Sequence, residues 1–192
     1  MAAYPEARRE QFLERPLPSS DESERTILGA ILLDNSVVTQ AVEHLKPEDF
    51  YSPFNRRIYA AMVSLFDASR PIDPILIAEE LKRDGSVEMI GGVAAIANLT
   101  YGLPHFTDVS DYIHVVKQKS LMRNLIRTCN QITSDALEEE EDAEIVLDRA
   151  EQMIFALAEQ RERTGFEAIR PIAETVFHKI QDFARRDSHA LT

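Results

Sequence analysis

The chain has 192 residues, 44% of them hydrophobic and 28% charged, with a net charge of −12 from 21 basic and 33 acidic side chains. Such a length holds one medium domain, or one domain with an appendage, and a compact unit of roughly 150 residues buries about 70% of its unfolded surface, so a true core is attainable. The acid excess argues against gripping a phosphate backbone, which takes clustered Lys and Arg; the six glycines argue against a turn-rich all-β fold, and the single cysteine, Cys129, excludes an intrachain disulfide.

Residues 1–17 are polar, carry Pro5 and Pro16, lack periodicity and read as a flexible arm. Ser19 or Ser20 then caps a first helix whose opening turn holds Asp21, Glu22 and Glu24, acids that the helix dipole favours there. Its apolar stripe is Ile27, Leu28, Ile31 and Leu32, and Asp34-Asn35-Ser36 leads into a second helix through Val38, Ala41, Val42 and Leu45. Ser52-Pro53 and Asp73-Pro74 each place a cap before a proline at the first helical position. The helices they open carry Ile58, Ala61, Met62, Leu65 and Phe66, then Ile75, Ile77, Ala78 and Leu81, with Gly85 as a C-terminal stop. Gly91-Gly92 breaks the chain before a short helix from Val93 to Leu99. Residues 18–103 thus read as a globule of five short helices, with Leu28, Ile31, Ile58, Met62 and Leu81 expected in one core.

The pattern changes over residues 104–163. Tyr112, Val115, Val116, Met122, Leu125, Cys129, Ile132 and Ala136 recur on one side of a long helix, and Leu121 and Ile126 widen its apolar surface. The acidic run Glu138 to Asp142 ends it as an exposed loop. A second long helix carries Val146, Leu147, Ala150, Met153, Ile154 and Leu157, so the two form an antiparallel hairpin. Such a hairpin buries its stripes either by folding back on the globule or by pairing with a second hairpin into a four-helix bundle. Val116, Met122, Leu125, Ile126, Val146, Met153, Ile154 and Leu157 are the candidate self-association residues.

Residues 164–192 begin as a polar linker containing Gly165, and Pro171 opens a last helix to about residue 186. Ile172, Val176, Phe177, Ile180 and Phe183 fall on one face. A lone amphipathic helix of this length is marginal in water, so the stripe needs a receiving surface, either on its own globule or, given the linker before it, elsewhere.

Chemistry-bearing patterns are scarce. Asp21, Glu22 and Glu24 read as dipole complement rather than a metal cluster, and His44, His105, His114, His178 and His189 have no H-x-x-x-H or C-x-x-C companion. No G-x-S-x-G, H-E-x-x-H, G-x-G-x-x-G or G-x-x-x-x-G-K-[S/T] occurs, so no catalytic, cofactor-binding or metal-binding residue is assigned. Cys129 reads as a small buried hydrophobe on its helix's apolar face. Arg56-Arg57 and Lys117-Lys119-Arg123-Arg127 are local basic groups, read as solvated helix faces rather than a DNA-binding patch. With no signal peptide and no membrane-length apolar run, the expected compartment is the cytoplasm.

An ordered series of short phrases carries a family resemblance: Ser20-Asp-Glu-Ser-Glu-Arg-Thr-Ile-Leu-Gly29, Leu33-Asp-Asn35, Asp49-Phe-Tyr51, Arg57-Ile-Tyr59, Met62, Leu65, Pro71-Ile-Asp73, Leu76, Leu81 and Gly91-Gly92. Together they resemble the N-terminal collar domain and linker helix of DnaB-type replicative DNA helicases, over roughly residues 17–187. The resemblance implies an all-α fold in which hairpins pair and pairs assemble into a trimer-of-dimers collar. It implies docking of the last helix, through Ile172, Val176, Phe177, Ile180 and Phe183, on the RecA-like domain of an adjacent subunit. It also implies DnaG primase and a helicase loader as partners, with no direct DNA contact and no membrane. ATP and Mg²⁺ would belong to the RecA-like ATPase domain, absent from this sequence. A stop at Ala190-Leu191-Thr192 would then fall at the domain junction, as expected of a shortened or proteolysed chain. Two alternatives are the helicase-binding domain of a DnaG-type primase, also a helical globule followed by a hairpin, and a helical DNA-binding regulator. With no phosphate-cradling loop in this sequence, a steady-state assay of the purified chain is expected to show no ATP turnover above a buffer blank.

Overall fold

Side-chain caps, two of them followed by a proline, set the beginnings of three helices. In the computed structural model, which describes residues 16–83, 91–138 and 142–162, every regular element is helical. Ser20 caps α1 (Asp21–Leu33). The 3-10 turn Asn35–Val37 leads into α2 (Val38–His44), and Pro47–Asp49 forms a second such turn. Ser52 caps α3 (Pro53–Asp67), and Asp73 caps α4 (Pro74–Lys82) by accepting from the main-chain N–H groups of Ile75 and Leu76 at 2.8 and 2.9 Å. Gly91, at φ 82°, turns the chain into α5 (Gly92–Ala97), a conformation that an L side chain rarely adopts. The two long elements are α6 (Ser110–Glu138) and α7 (Ala143–Glu162).

The expected globule of short helices is present, and its core is one cluster. Ile27, Leu28, Ile31, Ile58, Met62, Leu65, Ile77 and Leu81 are all buried in it. Ile75, placed with the apolar stripe of α4 by the sequence, is exposed. Tyr59 and Phe50 stack with ring centroids 4.6 Å apart, and the Tyr59 hydroxyl donates to the Leu45 carbonyl at 3.3 Å. Burial first, and the charge of Asp49 second, push that phenol well above its usual pKa. Gly29 is required by packing: a Cβ there would collide with the Leu99 carbonyl and the Leu103 side chain.

The core does not stop where the sequence pattern changes. Val109, Ile113 and Val116, at and after the start of α6, are part of it. Gln40 holds this junction by donating to the Thr107 carbonyl (3.1 Å) and accepting from the Val109 N–H (3.2 Å). Beyond α6 the chain turns back, since Arg149 on the first turns of α7 lies 3.8 Å from Asp135.

The chain divides into two compact units, Met1–Ala150 and Glu151–Thr192; of the second, the described part is the C-terminal portion of α7. The arm up to residue 15, Gly85, the acidic loop from Glu139 to Glu141, and the linker helix expected over 171–186 lie outside the described residues.

Leu28 and Ile58 are fully buried at the centre of the cluster. Truncating either to Ala is expected to cost about 2–5 kcal/mol, from lost transfer energy and the cavity left behind. Thermal or urea unfolding of the two variants checks this, and melts indistinguishable from the parent would show the helix faces to be misassigned.

Candidate functional site

The phrase Asp49-Phe50-Tyr51 sits where the globule meets α6, and each of its residues bonds to a different element. Asp49 accepts from the Lys46 N–H (2.8 Å) and from the Lys117 ammonium (2.8 Å) on one carboxylate oxygen, and from the Ser120 hydroxyl (2.7 Å) on the other. Lys117 and Ser120 both belong to α6, so this one carboxylate ties the loop before α3 to the long helix. Phe50 is buried in the core, and its carbonyl accepts from both Nε and Nη2 of Arg56 at 3.2 and 2.9 Å. The Tyr51 ring lies 5.6 Å from the guanidinium carbon of Arg123, within cation–π range.

Arg123 itself is only 1% exposed. Its Nη1 donates to the Pro18 carbonyl at 2.8 Å, and its Nη2 donates to the Asp49 carbonyl. Burial lowers its pKa, and the Glu24 charge opposes that shift most strongly; a guanidinium nonetheless stays protonated at any ordinary pH. Glu24, likewise 1% exposed, accepts from the Tyr51 N–H (2.7 Å), the Ser52 N–H (3.3 Å) and the Asn55 side-chain amide (2.9 Å).

Two sequence expectations are corrected here. Glu24 is not simply an acid at the start of its own helix: its carboxylate lies at the N-terminus of α3, where the main-chain donors of residues 51 and 52 converge on it. The signal in the sequence was an acid at a position facing the core rather than solvent. The run Lys117-Lys119-Arg123-Arg127 is not a wholly solvated face either, because Lys117 is paired with Asp49 and Arg123 is buried. Both residues were legible only as charges, since Lys117 finds its partner 68 positions away and Arg123 finds its two at 74 and 105.

From Leu121 onward, around and past the buried Arg123, the character of α6 changes. Leu121, Asn124, Thr128, Ile132 and Asp135 form a partly buried row, whereas Met122, Leu125, Ile126, Cys129 and Ala136 form an exposed one. The single stripe expected from periodicity is therefore two rows on adjoining faces. Of the candidate self-association residues on α6, Met122, Leu125 and Ile126 lie on the exposed row, while Val116 is packed into the globule core and is not available to a partner. Cys129, expected to be buried, is exposed; it stands on the outer row, beyond the reach of the core. On α7, Val146, Met153 and Leu157 are partly buried and Ile154 is exposed. Sequence reasoning missed Phe155, which is 66% exposed on α7; it falls one residue off the stripe that periodicity singled out. The linker-docking set Ile172, Val176, Phe177, Ile180 and Phe183 lies outside the described residues. Among the described residues no group of three or more His, Cys, Asp and Glu could hold a metal ion, and no helix is long and apolar enough to cross a membrane.

The model of the DnaB-like helicase N-terminal domain matches residues 16–118, more than half of the chain. The chain belongs to the DnaB-like helicase N-terminal domain family. Membership sets aside the primase-side and DNA-regulator readings. The chain is 33% identical over 178 residues to the replicative DNA helicase DnaB of Geobacillus stearothermophilus, covering 93% of this chain and 39% of that protein. It is 31% identical over 173 residues to the replicative DNA helicase DnaC of Bacillus subtilis strain 168, covering 90% of this chain and 38% of that one. The chain thus spans about two fifths of the length of the curated relatives it matches.

Among solved structures, the N-terminal domain of DnaB helicase from Mycobacterium tuberculosis superposes with a TM-score of 0.70 at 29% identity, covering 73% of this chain and 99% of that one. The N-terminal domain of DnaB helicase from Helicobacter pylori, described together with its interactions with primase, shares the fold at a TM-score of 0.53 and 23% identity, covering 69% of this chain and 98% of that one.

The contact between α1 and the start of α3 is testable. Glu24→Ala leaves the Tyr51 and Ser52 N–H groups and the Asn55 amide without their acceptor. The expected loss is about 1–3 kcal/mol or more, the cost of stranding buried donors. Glu24→Gln, which keeps an acceptor oxygen, is expected to lose less. Denaturant unfolding of both variants checks the order.

Proposed function

We propose that this chain is an assembly scaffold of a replicative DNA helicase, pairing with a second copy through the free half of its α6–α7 hairpin. The observation that carries the reading is the exposed apolar row Met122, Leu125, Ile126 and Cys129 on a helix of a DnaB-family domain. Side chains of this size gain about 1.5–3 kcal/mol each on full burial, so a matching row on a second chain is the economical cover. Ile154 and Phe155 of α7 offer further apolar surface of the same kind. Pairs would build the hexameric collar of the whole helicase.

Two further partners belong to the same reading. Primase is the first, supported by the Helicobacter pylori neighbour of like fold that is described with its primase interactions. A helicase loader is the second, and it rests on family resemblance alone. The helix expected over 171–186 would dock through Ile172, Val176, Phe177, Ile180 and Phe183 on the RecA-like domain of the adjacent subunit. ATP and Mg²⁺ would be bound by that motor domain, and this segment would supply no catalysis. Direct DNA binding is not part of the proposal, since the net charge is −12 and the basic run on α6 has Lys117 paired and Arg123 buried.

Leu125→Asp sets a carboxylate in the middle of the exposed row. It is expected to weaken self-association at least about tenfold, about 1.4 kcal/mol, while leaving the melting of the globule unchanged. Sedimentation equilibrium of parent and variant is the test. A parent chain that stays monomeric at high concentration would remove the support for pairing through this face.

A further inference from the structure

Arg123 is the last buried residue along α6. Val109, Ile113, Val116, Ser120 and Arg123 are buried in turn, and no residue from 124 to 138 is. The helix therefore has a held half and a free half, with the guanidinium at the border. The first half is held by apolar contacts through Ile113 and Val116, which are non-directional and tolerate rocking, and by the Lys117 and Ser120 bonds, which both end on the single Asp49 carboxylate and so act as a pivot. The guanidinium bonds allow no such rocking. Its planar fork grips two carbonyls from separate segments, Pro18 in the lead-in to α1 and Asp49 in the loop before α3. The acids nearest it have their oxygens engaged elsewhere, Glu24 with Tyr51, Ser52 and Asn55, and the Asp49 carboxylate with Lys46, Lys117 and Ser120. They supply the charge balance while the carbonyls supply the geometry.

We infer that Arg123 is a positioning residue: by clamping the lead-in to α1 and the loop before α3 at one point, it fixes the direction in which the free half of α6 leaves the globule. A lysine cannot replace it, because an ammonium is a point donor without the rigid two-pronged geometry. The consequence for assembly rests on the pairing proposed above: two chains meet at one defined angle only if each arm is held.

The test reads the arm within one chain. Spin labels are placed on Glu43→Cys in the globule and Ser134→Cys on the free half of α6, both exposed, in the full chain carrying Cys129→Ser, diluted with an excess of unlabelled chain. The parent is expected to give a narrow interlabel distance distribution. R123M should broaden and shift it, R123K should do so to a smaller extent, and V116A, which loosens apolar packing in the same joint, should leave it narrow. Circular dichroism establishes that each variant is folded; if R123M is not, R123K decides. Parent-like distributions in the folded arginine variants would overturn the inference, as would equal broadening in V116A. Sedimentation of the same variants separates the two proposals. A monomeric parent with an arginine-dependent distribution would sink the pairing and leave the clamp standing.

Discussion

Three buried ionic side chains, Glu24, Asp49 and Arg123, meet beneath the first half of α6, and the arrangement of the chain around them follows from the need to satisfy each one. A charge taken out of water costs several kcal/mol unless its hydrogen-bonding capacity is met. Here Glu24 accepts from the start of α3, Asp49 accepts from α6, and Arg123 donates to the two loops that flank α1 and α3. Among the described residues no buried side-chain nitrogen or oxygen is left without a partner. The network is therefore complete, and a complete network specifies one geometry more sharply than apolar contact does.

The same logic accounts for the other short phrases. Asn35 donates to the carbonyls of Ile31 and Ile72 and accepts from the Ile72 N–H, each at 2.9 Å, so Leu33-Asp-Asn35 and Pro71-Ile-Asp73 are two halves of one connection between the end of α1 and the start of α4. Gly29 closes the opening phrase because α1 lies against the Leu99 backbone. Several phrases that look in sequence like separate family marks are in space bonding stations between helices that also share one apolar core.

Stability and the proposed pairing are divided along α6. Up to Arg123 the helix belongs to the globule and is held by core packing and buried bonds. Beyond it the exposed surface of α6 is polar except for the outer apolar row and Leu137. Mutations in the first half should therefore act on folding, whereas under the proposed pairing those on the outer row act on association, and the two effects are separable because they share few contacts.

The sequence by itself determined the all-α class, the five short helices, the caps Ser20, Ser52 and Asp73, most of the globule's core, and the existence of two long amphipathic helices. These are local properties, set by capping chemistry, proline position and a 3.6-residue period, and they survive without knowledge of partners. Tertiary structure decided which charges are buried, because Glu24, Asp49 and Arg123 find their long-range partners at separations of 27 to 105 residues that no local pattern encodes. It also decided that Val116 belongs to the core and Cys129 to solvent. Both sit on apolar faces of one continuous helix, and only the place where the globule stops covering that helix tells them apart.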